Sequence, residues 1–102
     1  MPYIPQSVRN KYDKLIDQLY DRVNETTVGE YRLETSYIPE DVDGEMNYVI
    51  TRLIDEVYGV RPRYINYERA VGLLDSVKVE FQRRRVGPYE ESKKEANGDV
   101  YL

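Results

Sequence analysis

The sequence predicts a mainly α-helical protein, with three main helices and a short fourth helix at the C-terminus. Apolar residues recur at helical spacing along three separate stretches of the chain. Strand-like alternation of apolar and polar residues is confined to one short stretch near residues 31–37. The chain has 102 residues and no cysteine, so we expect a single domain (residues 1–102) with a modest core and no disulfide framework.

The first predicted helix runs from about Ser7 to Asn24, with Ser7 as the N-cap. Its apolar face comprises Val8, Tyr12, Leu15, Ile16, Leu19 and Val23. Three aspartates line the opposite side, at positions 13, 17 and 21. Because they point away from the apolar face, we interpret them as solvated surface and not as a metal site.

The connection over residues 25–43 has two interpretations. Tyr31, Leu33, Thr35 and Tyr37 alternate with polar residues, which predicts a short strand. A lone strand needs a pairing partner, either residues 100–101 or the same strand of a second subunit. The alternative is an extended loop that packs its tyrosines on the helices, and this is the interpretation we prefer.

The second predicted helix begins after Asp43 as N-cap and runs from about Gly44 to Tyr58. Gly59 is expected to end this helix in a left-handed conformation. The apolar face of the second helix comprises Met46, Val49, Ile50, Leu53, Ile54 and Val57.

The third predicted helix is the longest and runs from Asn66, its expected N-cap, to Arg85. One apolar stripe comprises Tyr67, Ala70, Val71, Leu74, Val77 and Phe81, and a smaller set on roughly the opposite side comprises Gly72, Ser76, Val79 and Val86. We therefore expect neighbours on both sides, the second of them in this chain or in another copy. Gly87–Pro88 is expected to kink or break the helix, and Pro88 to start a short terminal helix of about Pro88 to Ala96, which Asn97–Gly98 stops.

Composition excludes many kinds of chemistry. The chain has no histidine and no cysteine, which removes thiol catalysis, zinc–thiolate sites and the commonest general base. It contains no phosphate loop and no dinucleotide-binding fingerprint. We therefore predict no enzymatic activity, no catalytic residues, no metal site and no cofactor.

Charge and hydropathy limit the partners. The net charge of −4 argues against general nucleic-acid binding, and no apolar run is long enough to span a membrane. The N-terminus lacks the features of a signal peptide, and with the absence of cysteine this leads us to expect a cytoplasmic protein. Residues 25–60 carry nine acids and two bases, whereas residues 61–88 carry seven bases and three acids. These halves could face each other within one fold, pair between subunits, or leave the basic half for an anionic ligand.

The aromatic composition points to a binding role. Eleven residues are tyrosine, one is phenylalanine and none is tryptophan. Tyrosine combines an apolar ring with a polar tip, which suits interfaces and ligand pockets, although tyrosines also fill the edges of small cores. Arginine beside tyrosine can hold a phosphate and stack on a base. The candidate ligand-binding residues are Arg83, Arg84, Tyr89, Tyr48 and Asn47.

Several segments resemble a family of small uncharacterised proteins found in tailed bacteriophages and in some bacteria and archaea. The resemblance rests on Met1-Pro-Tyr-Ile, Gly44-Glu-Met-Asn-Tyr-Val-Ile, Val79-Glu-Phe-Gln-Arg-Arg84, Pro88-Tyr-Glu90 and Asn97-Gly-Asp-Val-Tyr101. It does not cover residues 25–40. It implies a phage-like setting and no particular activity, and it draws attention to Asn47 and Tyr48.

Two hypotheses follow for the function. The first is a non-enzymatic protein that self-associates, as a homo-oligomer, and binds another protein. The second is a protein that binds and sequesters a small anionic ligand such as a nucleotide. A magnesium-dependent nucleotide hydrolase is a third and weaker alternative, because it needs acidic residues that face inward on adjacent helices.

Overall fold

The computed structural model describes residues 2–26 and 28–101 and confirms the mainly α-helical class. The helical elements in chain order are α1 (Gln6–Asn24), α2 (Asp41–Ile54), a π-helical turn (Asp55–Gly59), α3 (Tyr64–Phe81), a second π-helical turn (Gln82–Val86) and α4 (Gly87–Asn97). The described residues divide into two compact units. We call them the N-terminal unit (Tyr3–Arg61) and the C-terminal unit (Pro2 and residues 62–101). That the whole chain forms one domain stays a prediction.

The three predicted N-caps are wrong, because each helix begins before the polar residue expected to cap it. Backbone carbonyls just before each helix accept the first amide hydrogen bonds of that helix. The carbonyl of Pro5 accepts the amides of residues 8 and 9 at 2.9 and 3.1 Å. The carbonyl of Pro39 accepts the amide of residue 42 at 3.1 Å, and that of Arg63 accepts the amide of residue 66 at 3.0 Å. The residues that were expected to cap, at positions 7, 43 and 66, lie inside their helices.

The connection between α1 and α2 is a loop, as the preferred interpretation predicts. Its described residues contain no strand, and a single antiparallel bridge joins Glu25 to Tyr31. Thr27 lies outside the described residues. The loop tyrosines do not pack away from solvent, since Tyr31 and Tyr37 are each 66% exposed.

The end of the second helix differs from the prediction. The helical path continues from α2 through a π-helical turn to Gly59, which does not adopt a positive φ. A side chain satisfies the carbonyls left at this helix end, because Nη1 of Arg61 donates to the carbonyls of Glu56 and Val57 at 3.1 and 2.9 Å. A left-handed glycine is therefore not needed at this end.

Of the kink or break predicted at Gly87–Pro88, the break is wrong, since α3 and α4 form one continuous helical segment. Gln82, Val86 and Gly87 all keep right-handed helical dihedral angles. A proline in a regular helix lacks an N–H and clashes with the carbonyl four residues earlier. The π-helical turn just before Pro88 supplies an extra residue at this point, which is a known way to relieve such a conflict.

Few side chains are removed from solvent. Among the described residues only Val23, Val42 and Ala70 are buried, at 8, 5 and 7% exposure. The first two belong to the N-terminal unit, at the end of α1 and the start of α2, and the third lies in α3. The predicted apolar faces exist, but most of their members remain exposed.

The C-terminal end of the helical segment is fixed as predicted, by a glycine. Gly98 has φ 91° and ψ 152°, and its N–H donates to the carbonyl of Lys94 at 2.8 Å. Only glycine adopts this region without strain, so Gly98→Ala should cost about 1–3 kcal/mol locally and loosen the last turn. Faster amide hydrogen exchange over residues 95–98 is the expected result. Gly44→Ala is the matched control: it lies in α2 with open space around its Cβ position, so it should stabilise by about 0.5–1 kcal/mol.

Candidate functional site

A polar cluster in the N-terminal unit ties its loop to both helices. The Asn24 side-chain oxygen accepts the amides of Arg32 and Leu33 at 3.1 and 2.7 Å, and the Asn24 carbonyl accepts the Arg32 amide at 2.9 Å. The Arg32 side chain donates from Nε to the Val23 carbonyl at 2.8 Å. The end of α1 is therefore capped by the loop that follows it.

The Arg32 guanidinium links this loop to α2. It lies 2.8 Å from a carboxylate oxygen of Asp41 and 2.6 Å from one of Glu45, and its side chain is 8% exposed. The hydrogen bond to Glu45, with the charges of both carboxylates, raises the pKa of Arg32 above its ordinary value. Each of these groups has a partner within the unit, so we assign the cluster a structural role.

A groove on α3 is the feature of the C-terminal unit best suited to binding. It encloses about 300 Å³. Its lining residues are Pro2, Leu73, Ser76, Val77, Glu80, Phe81, Arg84 and Arg85. Phe81 is 61% exposed and Val77 59% exposed, so the floor is apolar and open to solvent. Among the described residues, neither Arg84 nor Arg85 has a hydrogen-bonding or ion-pair partner for its side chain.

The predicted ligand-binding arginines differ in their surroundings. Arg84 lines the groove, whereas Arg83 pairs with Glu80, with Nη2 2.6 Å from the carboxylate. Tyr89 lies in α4 and is not among the groove residues; the ammonium group of Lys93 is 5.5 Å from the centre of its ring. Within this unit the structure therefore separates Arg84 from the other two.

The other two predicted ligand-binding residues belong to the N-terminal unit, on the exposed side of α2. Nη1 of Arg52 donates to the Tyr48 hydroxyl at 2.9 Å, and Nη2 of Arg52 lies 3.0 Å from Glu56. The Asn47 side-chain oxygen accepts a hydrogen bond from the Thr51 hydroxyl at 3.0 Å. These contacts join residues one helical turn apart, and those of Arg52 raise its pKa, chiefly through Glu56 and then Tyr48. That Asn47 and Tyr48 bind a ligand stays a prediction.

Sequence reasoning missed the contribution of Leu73 and Arg85 to the groove. The signal was the spacing of Leu73, Val77 and Phe81, which follow one another every four residues and so lie along one side of a helix. The π-helical turn after α3 shifts the angular positions of the residues towards its end, such as Arg85, which no count of residues along a regular helix anticipates.

These features define a small, mainly α-helical protein whose amphipathic helices expose their apolar sides. The chain belongs to the family Domain of unknown function (DUF6899), whose model matches residues 1–100. No curated protein and no solved structure matches the chain. In the part of the chain that the structure describes, no helix is long and apolar enough to cross a membrane, and no three acidic residues are grouped as a metal site requires.

Proposed function

We propose that this protein is a non-enzymatic interaction protein that assembles with copies of itself and, through that assembly, binds another protein. The proposal is carried by one observation. α3 has apolar residues on two sides, and the described residues of its own unit form no separate helix that could cover either side. The C-terminal unit consists of the single helical segment α3–α4 with short flanking residues.

The side chains of α3 show how much apolar surface is left. Val71, Val77, Val79 and Phe81 are each about 60% exposed. Full burial of an aliphatic or aromatic side chain stabilises a protein by about 1.5–3 kcal/mol. Covering these four residues would therefore contribute several kcal/mol. Exposed apolar surface of this extent is typical of interaction sites.

The N-terminal unit supports the same conclusion. In α1 the apolar face predicted from the sequence is present, yet Leu15 and Ile16 are 61 and 59% exposed. In α2, Leu53 is 55% exposed. An amphipathic helix gains most of its stability by packing its apolar face. We therefore expect α1 and α2 to pack these exposed residues against a partner surface as well.

The setting we propose follows from the family resemblance: the cytoplasm of a cell infected by a tailed bacteriophage, or of a bacterium or archaeon that carries the same family. There, a protein without catalytic groups would act by occupying a surface of another protein. A homo-oligomer would present that surface in several copies and so raise its effective affinity.

The α3 groove favours a second candidate function, the binding of a small anionic ligand. Its volume of about 300 Å³ is at the lower end of ligand pockets. Arg84 and Arg85 could hold a phosphate while Phe81 stacks on a ring. A groove on one helix covers only one side of a ligand, so this function also requires a second surface to close the site.

Native mass spectrometry of protein purified without added ligands tests both functions, together with sedimentation over a range of concentrations. We expect a defined oligomer with no extra mass. An extra mass of a few hundred daltons per subunit would instead support the anionic ligand. A bare monomer at every concentration would contradict self-association.

A further inference from the structure

We infer that a second copy of this chain docks antiparallel on one particular face of α3, which carries Ile65, Glu68, Gly72, Val79 and Arg83. The inference rests on the proposed self-association. It adds which face of α3 makes the contact, the relative direction of the two helices and the pairing of residues between them. None of its five residues lines the groove, although Ser76 and Glu80 beside the face do.

The face is open and its apolar members are unpaired within their unit. Ile65 is 53% exposed and Val79 59% exposed. A Cβ atom added to Gly72 would meet no atom within 4 Å outside its own helix backbone. Another helix can therefore approach closely at Gly72, with the larger side chains on either side of the contact.

The spacing of these residues is self-complementary for an antiparallel pair. Consider a two-fold axis that passes between Asp75 and Ser76. Gly72 and Val79 then lie equally far from the axis, so the glycine of each copy faces the valine of the other. By the same symmetry Glu68 faces Arg83 of the second copy, and this happens twice in the pair.

The charges agree with this register. Within the described chain no hydrogen bond or ion pair engages the Glu68 carboxylate. Arg83 already pairs with Glu80 at 2.6 Å, and a guanidinium can hold two carboxylates at once, as Arg32 does in the N-terminal unit. Glu68 of the second copy would be the second carboxylate of Arg83.

The residues beside the face also fit. On one flank, Arg69 lies near Glu80 of the second copy. Arg69 is two residues away from the position directly opposite that Glu80, an offset of about 3 Å along the helix. On the other flank, the two Asp75 side chains approach each other near the axis. Lys78 of the other copy lies beside each of them and offsets their repulsion.

A parallel pair on the same face would be unfavourable. Each residue would then face its own equivalent, so that Glu68 would meet Glu68 and Arg83 would meet Arg83. Like charges opposite each other suppress an arrangement, whereas opposite charges fix its register. The face therefore selects an antiparallel copy.

Charge exchange tests the inference in the full-length protein. Glu68→Arg alone and Arg83→Glu alone should each weaken self-association at least about tenfold, because two attractive pairs in each dimer become repulsive. An equimolar mixture of the two variants should restore it, since every contact between unlike chains again joins opposite charges. The double variant Glu68→Arg/Arg83→Glu should also associate like the original protein. Circular dichroism would verify that all variants remain helical.

The possible results separate this inference from the proposed function. If the original protein is monomeric, both fail. If it associates but the single variants associate equally well, or if the mixture stays as weak as its components, self-association stands and the antiparallel face is wrong. A loss of binding to an unrelated protein, with self-association unchanged, would assign this face to that protein and would also overturn the inference.

Discussion

Replacing Asn24 with alanine should loosen the loop between α1 and α2 and lower the stability of the N-terminal unit. The Asn24 side-chain oxygen is the acceptor for the Leu33 amide at 2.7 Å and one of two acceptors for the Arg32 amide. Leaving a partly buried amide without a partner costs about 1–3 kcal/mol. For a protein of this size, we expect the melting temperature to fall by roughly 5–15 °C. A far-ultraviolet circular dichroism melt would measure this, and amide hydrogen exchange at Leu33 would locate the change.

Asn24→Asp is the matched control for this prediction. A carboxylate at position 24 keeps an oxygen that can accept both amides, and the nearby Arg32 guanidinium is a favourable neighbour for its charge. The aspartate variant should therefore melt close to the original protein. Equal melting temperatures for the alanine and aspartate variants would show that the side-chain oxygen does not hold this loop.

The helical elements were predictable because their apolar periodicity is local. Their first residues were not, because the prediction relied on polar capping side chains. A proline lies at or close before the first residue of each of these helices: Pro5 before α1, Pro39 before α2 and Pro62 before α3. A proline has its φ fixed near the helical value, so it favours a helix that begins directly after it. In this chain the positions of the prolines predict the helix starts better than the polar residues do.

The contacts between residues distant in the chain were harder to predict, because they depend on the path of the backbone. The loop between α1 and α2 turns back so that Arg32 reaches Asp41. Nothing in the alternation of residues 31–37 indicates this, since the alternation describes neighbours along a strand. The π-helical turn at Gln82–Val86 has a similar effect, because it shifts the angular positions of the residues towards its end, such as Arg85.

The two sides of α3 have different chemistry, which suggests that they serve different contacts. The groove side combines Phe81 with two arginines that have no side-chain partner among the described residues. The face around Gly72 is self-complementary in charge and size. An assembly formed through the second face would leave the groove available to a different molecule. Self-association and ligand or protein binding are therefore compatible activities of one helix.

Val77→Glu tests whether the groove side is covered in the assembled protein. Val77 is 59% exposed in the single chain, and substitutions at exposed positions usually change stability by no more than about 0.5 kcal/mol. If another molecule covers this side, the new carboxylate must be removed from water at a cost of several kcal/mol, only part of which a guanidinium of Arg84 or Arg85 could offset. We then expect assembly or partner binding to weaken more than a hundredfold, with little change in the helicity of the dissociated chain. Sedimentation velocity and circular dichroism on the same samples would separate these two effects.

Gln82→Glu provides the control, because it adds the same charge five residues away, at an exposed polar position outside the groove lining. It should leave both assembly and helicity unchanged. If Val77→Glu also leaves them unchanged, the groove side is solvated in the working protein, and the apolar contacts are made by the face around Gly72 alone. If both variants dissociate the assembly equally, net charge and not burial controls association, and raising the salt concentration should then restore it, because screening weakens repulsion between exposed charges.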